Sequence, residues 1–209
     1  MKKTRLLIMA LLAVMTFPGK GNAQALEEGN IAVDVYYGFP NLFKSVVETT
    51  YANSGSEENV EIGGIGPMGM RGEYMVSDDV GIGLEVNYTN TVVSYEESSI
   101  NSFGEFETYT YEVSVPRLRI MPRFSIHFGN SDNFDFYGAV AAGYNSTKFK
   151  FKTNDPNEEF DEEVKSPLPV AFRIAIGGRY YFADLVGINM EIGLGGGALV
   201  CGGLSLRIQ

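Results

Sequence analysis

Several residue types are scarce in this chain, and each scarcity excludes a class of protein. The sequence has one cysteine, one histidine and no tryptophan among 209 residues. With only Cys201, no intrachain disulfide and no zinc site built from several thiolates is possible. Basic residues number 16 against 26 acidic residues, which gives a net charge of −10. This balance argues against a nucleic-acid partner, because phosphate binding requires a basic face.

Long apolar runs are also missing. The longest, 6–17, is shorter than the roughly 20 residues that a membrane-spanning helix needs. It follows a positively charged start and precedes small residues, as in a secretory signal. We therefore predict a signal peptide over 1–23, with cleavage after Ala23 or Ala25, and a single domain over 24–209. Removal of the signal leaves 12 basic against 26 acidic residues, a net charge of −14.

The strongest positive signal is a period of two, which is typical of a β-strand with one apolar and one polar face. It is clearest at 80–89 and 186–195, where apolar residues alternate with Gly, Glu, Asn or Thr. Each run has about the ten residues with which a tilted strand crosses a bilayer. Eight strands are predicted, near 30–39, 61–76, from 80, 109–128, 134–151, 168–182, from 186, and 199–208.

The connections between these strands alternate in length. Short ones lie at 77–79, 129–133 and 183–185, and long ones at 40–60, 96–108 and 152–167. An even number of strands with short turns at one end and long loops at the other is the layout of outer-membrane barrels. We therefore predict an all-β fold, an eight-stranded antiparallel transmembrane β-barrel with both termini on the periplasmic side. In the fourth strand the apolar residues change from odd to even positions near Pro116, which predicts a β-bulge there.

The polar faces of the predicted strands carry charges of both signs. On a lipid face each charge would cost roughly 2–4 kcal/mol at the bilayer midplane, whereas inside a barrel opposite charges pair. The expected lumen charge network consists of Asp34, Arg71, Glu73, Glu85, Arg117, Arg119, Arg123, Arg173, Arg179, Glu191 and Arg207, with Asp135 on the same face. Because side chains nearly fill an eight-stranded barrel, we expect a plugged lumen. The alternative interpretation is a gated narrow pore or a small polar ligand site.

Catalytic and metal chemistry receive little support from the sequence. A hydrolase would need a nucleophile beside a base, and Ser125 lies two residues before His127, the only histidine. Both lie at the predicted periplasmic end, whereas an esterase of surface lipids would act from the outer side. The acidic stretch 155–163 matches no EF-hand spacing and is expected to be a solvated loop. We expect no enzymatic activity, no cofactor and no metal site.

Several short segments resemble the outer-membrane β-barrel family of Bacteroidetes-type bacteria, a porin-like or OmpA-like group. They are 37–42 (YGFPNL), 72–74 (GEY), 135–138 (DFYG), 191–195 (EIGLG) and the closing strand 203–208 (GLSLRI). The resemblance implies location in the bacterial outer membrane, exposure at the cell surface and a role in envelope integrity. It also implies outer membrane lipids and the barrel assembly machinery as partners. Members of the family usually end in an aromatic residue, whereas this chain ends Ile208-Gln209.

These observations favour a structural or surface-interacting barrel whose surface ligand the sequence does not name. Three alternatives remain open. The first is a narrow porin-like channel for small solutes, and the second is a lipid-modifying enzyme that uses His127. The third is a soluble secreted lipocalin-like barrel, which would turn its apolar face inward and its charges outward.

Overall fold

The computed structural model describes residues 25–41, 44–46, 49–50, 60–100, 106–128, 131–156, 163–166 and 168–209. The predicted signal peptide therefore lies outside the described residues. Most of the acidic stretch 155–163 lies outside them as well. Within the described part of the chain, no helix is long and apolar enough to cross a membrane.

Nine antiparallel strands make up the described structure. They are β1 (Ile31–Asn41), β2 (Val60–Ser77), β3 (Val80–Ile100), β4 (Phe106–His127), β5 (Phe134–Thr153), β6 (Glu163–Lys165), β7 (Val170–Tyr181), β8 (Val186–Gly195) and β9 (Ala198–Ile208). Their order in the sheet is β4-β3-β2-β1-β9-β8-β7-β5-β6, and β4 also pairs with β5. That pairing closes eight strands into a barrel, so the predicted architecture is confirmed. The short β6, which among the described strands pairs with β5 alone, lies within the connection predicted to be a loop over 152–167.

The two faces of each strand have opposite chemistry. On β7, Phe172 and Ile174 are 60% and 61% exposed, while Arg173 between them is 2% exposed. The same alternation of exposed and buried residues continues along β8. Because strand side chains alternate between faces, the arginines and carboxylates point into the barrel and the large apolar residues point outward. A lipocalin-like barrel requires the reverse orientation, which the structure contradicts.

The barrel wall has unequal heights. Strands β2 to β5 have 18, 21, 22 and 20 residues, whereas β1, β7, β8 and β9 have 11, 12, 10 and 11. The four long strands extend past the others at the end opposite to the short turns. The residues 96–100 and 106–108, predicted to be loop, belong to this extension.

The predicted bulge at Pro116 is wrong. The pairing of β4 with β3 runs without interruption from Ile100↔Phe106 to Val80↔Ile126. The odd positions of β4 face inward over its whole length, and the apolar ones at the outer end are buried, for example Tyr109 and Val115. The apolar side chains of β4 change from the inward to the outward face because the outward face passes from water into lipid. Above the membrane the outside of the strand meets water, so apolar side chains turn to the inside.

The beginning of the described chain packs under the barrel at the short-turn end. Ala25 and Leu26 are fully buried and form an apolar cluster with Ala32, Met75 and Tyr181. The backbone carbonyl of Ala25 accepts a hydrogen bond of 2.6 Å from Nη1 of Arg207. This contact holds the segment that precedes β1 against the short-turn end of the barrel.

Candidate functional site

Nine charged side chains meet in the middle of the barrel, and we call them the lumen charge cluster. They are Asp34, Arg71, Glu73, Glu85, Arg123, Asp135, Arg173, Arg179 and Glu191. Each comes from an inward-facing position, and none is more than 4% exposed. Buried charges are tolerated only when they are paired and hydrogen-bonded, and the contacts below show how each is compensated.

The first half of the cluster surrounds Arg179. Its guanidinium contacts three carboxylates, at 3.0 Å from Asp34, 2.6 Å from Glu73 and 2.7 Å from Asp135. Nδ1 of His127 lies 2.6 Å from Asp135, and its Nε2 lies 3.4 Å from Glu73. One arginine thus joins residues of β1, β2, β5 and β7, and the planar guanidinium suits such multiple pairing.

The second half of the cluster surrounds Glu191. This carboxylate pairs with Arg71, with Arg123 at 2.5 Å and with Arg173 at 2.7 Å. Arg123 also pairs with Glu85 at 3.1 Å. The two halves are linked by Arg71, whose Nε lies 3.7 Å from Asp34. The ionic contacts are therefore continuous from one half to the other.

Tyr137 of β5 lies between the two halves and is fully buried. The guanidinium carbons of Arg179 and Arg123 lie 4.5 Å and 5.3 Å from the centre of its ring, within the range of cation–π attraction. Its hydroxyl accepts a hydrogen bond from Arg71 and donates one to Glu191. Space for the ring exists because residue 177 is glycine: a Cβ there would lie 2.5 Å from the ring.

Tyr36 of β1 also contacts charged residues of the cluster through both its ring and its hydroxyl. Its hydroxyl donates a hydrogen bond of 2.6 Å to Glu85, and the guanidinium of Arg71 lies 4.3 Å from its ring centre. Neither Tyr36 nor Tyr137 was among the predicted lumen charge residues. Their inward position on the strand was the signal that could have found them, because an even–odd count places both on the charged face.

Three of the predicted residues lie outside the cluster. Arg119 donates to the side-chain oxygen of Asn87 at 3.2 Å and to the carbonyl of Gly196 at 3.1 Å. Arg207 donates to the carbonyls of Asp184 and Ala25 at the other end of the barrel. Arg117 is half-buried near the middle of β4, next to Thr89 of β3 in the register.

The cluster does not form a nucleophile–base pair. The Ser125 hydroxyl donates to the carboxylate of Glu73 and also contacts the carbonyl of Gly81. His127 instead lies between Asp135 and Glu73, so the described contacts do not join the hydroxyl to the imidazole that would activate it. Among the described residues, no group of three or more His, Cys, Asp or Glu side chains could hold a metal ion.

A family model described as outer membrane protein beta-barrel domain matches residues 9–198. The chain belongs to this family. Membership places the protein in the bacterial outer membrane, where its apolar outward face meets lipid and its charges lie inside. The outer membrane β-barrel family expected from the sequence is therefore confirmed. Its restriction to Bacteroidetes-type bacteria stays a prediction.

Two solved structures are similar to this barrel. The N-terminal beta-barrel domain of Pseudomonas aeruginosa OprF has a TM-score of 0.44 at 10% identity, covering 88% of this chain and 100% of that chain. The outer membrane protein OprG from Pseudomonas aeruginosa has a TM-score of 0.41 at 10% identity, covering 90% and 100%. No curated protein matches the chain.

Proposed function

We propose that this protein is a structural, surface-interacting barrel of the outer membrane whose lumen is closed by the lumen charge cluster. The observation that carries the proposal is the contact between Arg179 and Glu73, at 2.6 Å. Their strands, β7 and β2, are four steps apart in the ring of eight and therefore stand opposite each other. Paired side chains that reach across the full width leave little room for a continuous water path.

Two further features support closure. Tyr137 fills the space between the two halves of the cluster. At the short-turn end, Ala25 and Leu26 are buried beneath the barrel. A solute would have to displace several buried ion pairs, and breaking one such pair by removing a partner typically costs about 3–5 kcal/mol.

The surface role is supported by the unequal wall. Strands β2 to β5 project beyond the other strands on the side of the long connections. Long outer segments on a rigid barrel are where such proteins present contact surfaces. We also propose outer membrane lipids as partners and the barrel assembly machinery as the route of insertion.

Single-channel recording in planar bilayers tests the closed lumen. We expect no steady conductance from the refolded wild-type protein. The double variant Arg123→Ala with Glu191→Ala removes two central partners together, and we expect it to show small steady currents. Steady conductance of the wild type would favour the porin-like alternative instead. The replacement His127→Ala tests the lipid-modifying alternative, since we expect it to leave the composition of the surface lipids unchanged.

A further inference from the structure

The outward wall of the barrel contains a groove where β5, β7 and β8 meet, and we call it the wall groove. It extends from Phe134 and Tyr180 beside the short turns to Ile176 and Ile192 higher on the wall. The outward side chains that line it are apolar or aromatic. Its volume is about 510 Å³, which is within the range of sites that hold a small organic molecule.

Glycine creates the wall groove. Across the wall, the register places four outward positions side by side, in the order Phe136, Gly178, Met190 and Gly202. A Cβ at Gly178 would lie 3.1 Å from the ring of Phe136, so this ring packs against bare backbone. Because neither glycine has a side chain, the wall is recessed between large apolar neighbours.

The wall groove lies in the periplasmic half of the membrane. Phe134 and Tyr180, whose ring centres are 4.6 Å apart, lie beside the short turns, which face the periplasm in barrels of this kind. From Ile188 to Ile192 the groove follows β8 for about 13 Å, or about 9 Å across the bilayer at a tilt of about 45°. This is less than half of the hydrocarbon core, which is about 30 Å thick. The groove therefore follows part of one leaflet, as an acyl chain does.

The rim below the wall groove is acidic. Asp132 precedes β5 by two residues, Asp184 lies in the turn between β7 and β8, and both are exposed. The two turns are adjacent, since the backbone N–H of Tyr181 donates to the carbonyl of Asn133 at 2.8 Å. The described residues of the whole short-turn end include these exposed acidic residues: Glu27, Glu28, Asp78, Asp79, Asp132 and Asp184.

Positive charge at this end is small. Arg207 is buried and donates to two backbone carbonyls, and the predicted cleavage adds one amino group at Gln24. The two residues of the β4–β5 turn outside the described ranges, Gly129 and Asn130, are uncharged. The lysines of residues 24–209 all lie toward the long connections, at 44, 148, 150, 152 and 165. The exposed charge next to the wall groove is therefore negative.

We infer that the wall groove binds an acyl chain of a zwitterionic phospholipid in the periplasmic leaflet, whose primary ammonium pairs with Asp132 and Asp184. An ammonium donates charge-assisted hydrogen bonds to carboxylates. A lipid with a purely anionic headgroup is disfavoured at the same rim, because like charges repel. This inference deepens the proposed partnership with outer membrane lipids and rests on it, but it does not depend on whether the lumen conducts.

Native mass spectrometry of the refolded full barrel in detergent, titrated with phosphatidylethanolamine or phosphatidylglycerol, tests the headgroup. We expect the wild type to bind phosphatidylethanolamine about fivefold more tightly, the effect of two exposed ion pairs. The double variant Asp132→Asn with Asp184→Asn should bind both lipids equally. The matched control, Asp78→Asn with Asp79→Asn, makes the same change on the β2–β3 turn across the ring and should keep the preference. Heat-modifiable gel mobility establishes that each variant is folded.

A second pair of variants tests the wall groove itself. Met190→Trp places a large ring in the recess, and we expect it to weaken the binding of both lipids without changing their ratio. Met70→Trp is the matched control, since both methionines face outward, at 60% and 52% exposed. It should leave lipid binding unchanged.

Three results would overturn the inference. They are equal binding of the two lipids by the wild type, lipid binding unaffected by Met190→Trp, and a dimer that Met190→Trp abolishes while lipid binding persists. The last result would assign the wall groove to a second copy of the chain. Steady conductance of the wild type would contradict the closed lumen alone, so failure of that proposal is distinguishable from failure of this one.

Discussion

Arg179 and Glu73 belong to strands on opposite sides of the barrel, yet Nη2 of the arginine lies 2.6 Å from Oε2 of the glutamate. The same guanidinium contacts Asp34 and Asp135. One side chain therefore ties four strands together across the lumen. Such a contact fixes the barrel diameter as well as the strand order, because it exists only when the ring is closed.

The first prediction concerns this arginine. Arg179→Met removes the cation that three buried carboxylates share, and we expect a loss of about 3–5 kcal/mol in the free energy of unfolding. Urea titration in lipid vesicles, followed by heat-modifiable gel mobility, measures the loss. Lys152→Met, a cation change at an exposed position, is the control and should cost less than about 0.5 kcal/mol.

A second substitution makes this prediction sharper. Adding Glu73→Gln to Arg179→Met removes the charge of one of the carboxylates that lose the arginine. We expect the double variant to be more stable than Arg179→Met alone, because leaving a buried charge unpaired costs more than removing both partners. An additive loss would show that the cluster does not act as a unit.

The second prediction concerns the space for the central ring. A Cβ at Gly177 would lie 2.5 Å from the Tyr137 ring, so Gly177→Ala should destabilise the barrel by about 1–3 kcal/mol. Gly72→Ala is the matched control, since its Cβ would meet nothing within 4 Å. Combining Gly177→Ala with Tyr137→Leu should recover part of the loss, as measured by the same urea titration. No recovery would mean that the backbone of β7, and not the ring, resists the change.

The third prediction locates the apolar belt. Ile192 faces outward from β8 and is 56% exposed, so Ile192→Arg should cost roughly 2–4 kcal/mol near the bilayer midplane. Thr110→Arg, on the exposed outer extension of β4, should cost little because that position faces water. The folded fraction after insertion into vesicles measures both. Equal losses at the two positions would contradict the assignment of Ile192 to the lipid-facing surface and of Thr110 to the part of the wall above the membrane.

The fourth prediction concerns processing of the chain. We expect Edman sequencing of the mature protein to begin at Gln24, corresponding to cleavage after Ala23. Cleavage after Ala25 would remove the carbonyl that accepts the hydrogen bond from Arg207, and would place a charged amino terminus at buried Leu26. A mature chain that begins at Leu26 would overturn this expectation.

Much of the fold was predictable because a strand repeats every two residues. The alternation at 186–195 determined which side chains of β8 face lipid, and its observed bounds are Val186–Gly195. The same rule failed to interpret the outer half of β4, where Tyr109 and Val115 are apolar but face inward. The alternation shows which face of a strand is apolar. It does not show whether the outward face of that strand meets lipid or water.

The pairing within the lumen was not predictable in the same way. Arg179 and Asp34 are 145 residues apart in the chain, and Arg71 and Glu191 are 120 residues apart. Which of the inward charges meet depends on the stagger between strands and on closure of the ring. For this reason the sequence pattern places Arg119 and Arg207 in the predicted lumen charge network, whereas in the structure both arginines donate hydrogen bonds to backbone carbonyls.

By itself the sequence determined the number of barrel strands, the identity of the lipid-facing side chains and the presence of charges of both signs inside. These properties are local, because each depends on the alternation of neighbouring residues along one strand. Only the tertiary structure decided that Tyr137 lies at the centre of the cluster, that Arg179 spans the lumen, and that Lys148 stands opposite Lys165. Those relationships depend on the register between strands, which cooperative closure of the whole sheet sets and no single strand encodes.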